Sequence, residues 1–111
     1  MTREERDDMM RRAVDVAARV APEGWRYTIE STGMVRLVAP DGYRGPPPAD
    51  IGLTQRALPH QGPGGWFGGE RTGHWLRTWS AQIDGVEVNY LEARSVRPAE
   101  YPRPADDEAT P

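Results

Sequence analysis

His60 and His74 are the only imidazoles in the chain. With Arg71 and Arg77 they form the one group of side chains whose types suggest acid–base work. A histidine pair can move protons in phosphodiester hydrolysis, with an arginine stabilising the charge that develops. On that reading the segment before His74 closes as a lid, and the chain is a small enzyme or ligand-binding accessory protein using His60, His74 and either Arg71 or Arg77. The same histidines are too few for a metal, which needs three or four convergent ligands. Asp50 and Glu70 add oxygen donors nearby, at no recognised spacing. The absence of cysteine removes thiolate nucleophiles, disulfides and Cys-based zinc sites. Ser31, Ser80 and Ser95 lack the glycine-flanked elbow of a serine nucleophile. The glycines of 62–69 do not lead a strand into a helix, and there is no lysine for a phosphate loop. No cofactor, metal or catalytic set is therefore expected, and binding is favoured over catalysis.

The elements that would position these residues are clearer. Two apolar, aromatic-rich segments within 74–96 meet across Ile83-Asp84-Gly85-Val86. Asp-Gly there predicts a two-residue type I′ hairpin turn, which needs positive φ at both central positions. That turn sets Ile83 opposite Val86, Ala81 opposite Val88, Trp79 opposite Tyr90 and Arg77 opposite Glu92. One face collects Trp75, Trp79, Ala81, Ile83, Val86, Val88 and Tyr90. Arg77 with Glu92 reads as a cross-strand ion pair, worth at most ~1 kcal/mol if exposed.

At the other end of the chain, Thr2-Arg3-Glu4-Glu5 has the form of a capping box. Met9, Ala13, Val16, Ala17 and Val20 recur at helical spacing, and Pro22 and Gly24 stop the helix by about Val20. Alternation then marks strands at 25–30 and 34–39. A three-residue loop with Gly33 left-handed pairs Ile29 with Val35 and Tyr27 with Leu37, apolar against apolar. The expectation is an α+β domain over residues 1–97. Its N-terminal helix packs on a four-stranded antiparallel sheet made of two hairpins.

The connection 40–73 is long, irregular and rich in proline and glycine. Connections of this length are usually functional or disordered. Residues 50–58 favour a short helix slightly over an irregular strand, since prolines precede them and Pro59 follows. Trp66 and Phe67 sit between glycine pairs. Either they plug the core or they are exposed anchors for a partner; the plug is favoured, because buried aromatics dominate core energetics. Beyond Arg97, proline and acidic residues predict a disordered or extended acidic tail over 98–111.

With 111 residues and 37% hydrophobic content, the chain can bury one modest core. A net charge of −3 and a pI near 5.4 argue against a general nucleic-acid binder. Every basic residue is arginine, which reads as the codon bias of a GC-rich genome, as in actinobacteria. No run approaches the ~20 apolar residues of a membrane span, and no signal-peptide core follows the charged N-terminus. A cytoplasmic protein without membrane contact is expected.

The stretch Ala17-Ala18-Arg19-Val20-Ala21-Pro22-Glu23-Gly24-Trp25 leaves an amphipathic helix and enters an alternating strand. In this corner, and more loosely in Trp66 and the hairpin reaching Asn89-Tyr90, the chain resembles the YezG-like immunity proteins. These are small bacterial antitoxins encoded beside polymorphic toxins, and the resemblance covers roughly half of the chain. It implies a non-catalytic protein that occludes a cognate toxin. The candidate partner contacts are then Tyr43, Trp66, Phe67, Glu70 and Arg71.

Overall fold

Helix α1 spans Arg3–Val20 and begins in a reciprocal cap. The Thr2 hydroxyl accepts from the Glu5 N–H at 3.1 Å, and the Glu5 carboxylate accepts from the Thr2 N–H at 3.2 Å. Two of the backbone donors that a helix start leaves orphaned are thereby satisfied. The computed structural model describes residues 1–56, 65–69 and 73–98. Ala13, Val16 and Ala17 are the buried stripe of α1, and their small size lets the helix lie close on a sheet.

Strands β1 (Arg26–Ile29) and β2 (Val35–Val38) form the first hairpin. Ile29 pairs with Val35 and Tyr27 with Leu37, the register the three-residue loop requires. Gly33 is left-handed at φ +86°, and a Cβ there would lie 2.9 Å from Met9 Cγ. Both the turn and the close approach of α1 therefore require glycine.

Strands β5 (His74–Ile83) and β6 (Val86–Arg94) form the second hairpin, in the expected register from Ile83 opposite Val86 to Arg77 opposite Glu92. Asp84 and Gly85 both have positive φ, as a type I′ turn demands.

The expected four-stranded antiparallel sheet needs two corrections. Among the described residues the sheet has six strands in the order β1-β2-β6-β5-β3, with β4 also pairing β5. It is mixed, because β2 and β6 run parallel. The long connection carries the chain from the end of β2 past β6, so that β5 starts on the far side and β6 returns between them. On the way it supplies β3 (Thr54–Gln55) and β4 (Phe67–Gly69), which share the outer edge of the ten-residue β5.

The short helix expected from residue 50 is also corrected. A single 3-10 turn, Ala49–Ile51, ends at Gly52 with φ +89°, and the chain then extends into β3. A glycine two residues into the segment stops a helix, because the left-handed conformation suits a C-cap.

Helix α1 packs against β1, β2 and β6. Between them lie Val35, Leu37, Val86, Val88 and Tyr90, joined by Leu53 from the connection. Trp25 meets the tilted Tyr90 ring at 5.1 Å and the Tyr43 ring edge-on at 5.3 Å, and the Tyr90 hydroxyl donates to the Gly45 carbonyl at 3.0 Å. These contacts pin the turn after β2 to the core. No helix among the described residues is long and apolar enough to cross a membrane.

Candidate functional site

Beyond the aliphatic core, the inward face of β5 and β6 continues as Trp75, Arg77 and Trp79 opposite Arg94, Glu92 and Tyr90. Period-two alternation alone places a carboxylate among these large side chains. Glu92 is fully buried and Arg77 is 9% exposed. The expected cross-strand ion pair is present, and it is buried within a network, so the value of an exposed pair does not apply. Glu92 Oε1 accepts from Arg77 Nε at 3.1 Å, from Arg77 Nη2 at 3.0 Å and from Trp79 Nε1 at 2.9 Å. Its Oε2 accepts from Arg94 Nε at 3.0 Å and Nη2 at 2.9 Å. The Arg77 guanidinium lies 4.2 Å from the Trp66 ring centre and 5.1 Å from that of Trp79. Both carboxylate oxygens are saturated with donors. The cluster is built to be stable rather than to exchange a proton or receive a ligand.

Burial pushes the Tyr90 phenol up to about 12, with the Glu92 charge adding to the same direction. Trp75 Nε1 is buried with no acceptor. Among the described residues no three His, Asp or Glu side chains converge as a metal would require.

The opposite face of the sheet has a different character. A polar row crosses it through Thr28, Arg36, Asn89, Ser80 and Thr54, each paired with the next. Towards the end where β2 stops, the outward residues become Val38, Leu91, Ala93, Leu76 and Phe67, with Thr78 directly opposite Leu91. Phe67 is opposite Leu76, and Leu76 opposite Ala93. Leu91 is 41% exposed. Helix α1 occupies the other face, and the described residues contain no second α-helix to cover this one. Beside the patch a groove of about 430 Å³ runs between β6 and the turn after β2. Tyr43 and Arg44 line one wall, and Leu91 and Ala93 the other. An apolar centre bordered by aromatic, arginine and other polar side chains has the anatomy of a protein–protein interface.

The sequence-derived candidates fall in different places. Tyr43 lines the groove and is partly exposed. Trp66 is fully buried beneath Arg77 and offers no surface, while Phe67 is half-buried on the outward face. Neighbouring residues on an extended chain point to opposite faces, so this pair is divided between core and surface. His74 is exposed at the first position of β5, and Arg77 is held by Glu92. His60, Glu70 and Arg71 lie outside the described residues, as does the tail beyond Pro98. Leu91, Ala93, Val38 and Leu76 were not among the candidates. Their signal was present, since the outward positions of β6 change from Glu87 and Asn89 to Leu91 and Ala93.

No protein-family model, curated protein or solved structure matches this chain.

Proposed function

We propose that this protein is a non-catalytic binding module acting in the bacterial cytoplasm, and that its partner is a toxin domain which it neutralises as an immunity protein. The observation that carries the binding reading is the apolar end of the outward sheet face, where Leu91 stands exposed among Val38, Leu76, Ala93 and Phe67. Buried against a partner, such a patch supplies the desolvated centre of an interface. Tyr43, Arg36 and Arg44 supply its rim. The saturation of Glu92 and the capture of Arg77 against two indoles remove Arg77 as the arginine of the lid reading, leaving it Arg71. The toxin as partner class rests on the resemblance of the Pro22-Glu23-Gly24-Trp25 corner to YezG-like immunity proteins.

The test is capture of the tagged protein from its own host, followed by co-expression with whatever co-purifies. One stoichiometric partner that arrests growth alone is expected, with growth restored by the wild type and not by Leu91→Arg. A partner that is no toxin would overturn the immunity assignment. Equal protection by Leu91→Arg would overturn the assigned surface.

A further inference from the structure

We propose that the free edge of β6 at residues 91–94 binds its partner by accepting one extended strand into the groove beside it. This rests on the binding reading and names the form the partner presents there.

Strand β6 is paired with β5 as far as Arg94, whereas its ladder with β2 ends at Tyr90. The two-residue turn makes Ile83 and Val86 a mutually hydrogen-bonded pair. Even-numbered residues of β6 therefore bond to β5, and odd-numbered ones direct their N–H and C=O the other way. Past the end of the β2 ladder, the Leu91 carbonyl and both backbone groups of Ala93 point towards the groove, with no strand paired to them among the described residues. Unpaired ladder groups are a template for another chain.

The groove also selects the form of its occupant. After β2 the chain turns through Pro40 to Tyr43, where the Tyr43 N–H donates to the Pro40 carbonyl at 3.0 Å. That turn forms the far wall, held by the edge-on Trp25–Tyr43 contact and by the Tyr90 bond to Gly45. The groove, of about 430 Å³, lies between this edge and the turn, so an occupant enters between two walls. Because the wall is fixed beforehand, little ordering cost falls on this protein. Arg36 is already paired with Glu30 at 2.8 Å, and Arg44 and Asp41 balance along the lining, so an uncharged strand is favoured over a charged one. Its alternate side chains would lie beside Leu91 and Ala93 on the apolar face. The occupant is thus an extended, uncharged apolar segment.

The experiment is selection of random displayed peptides on the full chain. Calorimetry then follows on wild type and Ala93→Pro, and on peptides N-methylated at alternate amides. Proline at 93 removes a groove-facing donor without touching the β5 ladder. Uncharged peptides with apolar residues at alternate positions are expected, weakened several-fold, up to about tenfold, by Ala93→Pro as the one N–H bond is lost. N-methylation of the amides facing β6 should weaken binding similarly, independently of how well the variant folds. No enriched peptide, insensitivity to N-methylation, or a dimer abolished by Ala93→Pro would each overturn the proposal. A captured partner lost by Leu91→Arg but retained by Ala93→Pro would overturn the strand while leaving the binding reading intact.

Discussion

Replacing Glu92 by glutamine tests whether the buried network holds the upper end of the inward face together. Arg77 is 9% exposed and has Trp66 and Trp79 against its guanidinium, so it cannot swing into solvent when its carboxylate is gone. The Arg94 side chain is 34% exposed and can rehydrate. The cost is therefore dominated by one uncompensated buried cation, about 3–5 kcal/mol. A domain of this size should lose roughly 12–25 °C in Tm, a large share of a total stability of about 5–15 kcal/mol. Replacing both partners, with Arg77→Met and Glu92→Leu together, removes the desolvation cost along with the attraction. That variant should lie within about 2 kcal/mol of wild type. Urea unfolding of the two singles and the double gives the coupling energy directly. A loss below about 1 kcal/mol for Glu92→Gln, the value of an exposed pair, would refute the buried network.

Further outcomes follow from the same geometry. The raised Tyr90 phenol makes stability complete below about pH 10 and progressively lost as pH rises towards about 12, because the unfolded chain ionises first. Tyr90→Phe should flatten that alkaline loss in thermal melts, at a cost of about 1 kcal/mol at neutral pH for the bond to Gly45. Gly33→Ala, which combines a left-handed φ with contact on Met9, should cost about 1–3 kcal/mol by chemical denaturation. Trp66→Ala should cost about 3–5 kcal/mol while Phe67→Ala costs visibly less, since only Trp66 is fully buried.

The two hairpins were legible because their information is local. Gly33 and Asp84-Gly85 admit few turn geometries, and each geometry dictates a register that apolar pairing then checks. The helix cap is equally local. Which hairpin strands lie side by side is not, because a connection as long as 39–73 permits β2 to meet either β5 or β6. The two short edge strands were hidden for a related reason, as strands of two or three residues carry no usable period. Gly52 was a readable stop signal within the segment favoured as a helix. The charged cluster was half legible. The register put Arg77 and Glu92 on the face of Trp75, Trp79 and Tyr90, yet only the placement of Trp66 over Arg77 makes that face buried rather than solvated. The outward patch could be read from β6 alone once the register was fixed. The groove could not, since it depends on where β2 stops and where the turn at 40–44 is anchored.

The most direct test of the account is the affinity of the captured partner for Leu91→Arg relative to wild type, measured beside the Tm of each. An exposed position facing away from the core should change Tm by no more than a few degrees. A charge at the centre of a desolvated patch should weaken binding by about thirtyfold or more, or ~2 kcal/mol. Unchanged affinity at unchanged Tm would contradict the assignment of the outward face as the binding surface.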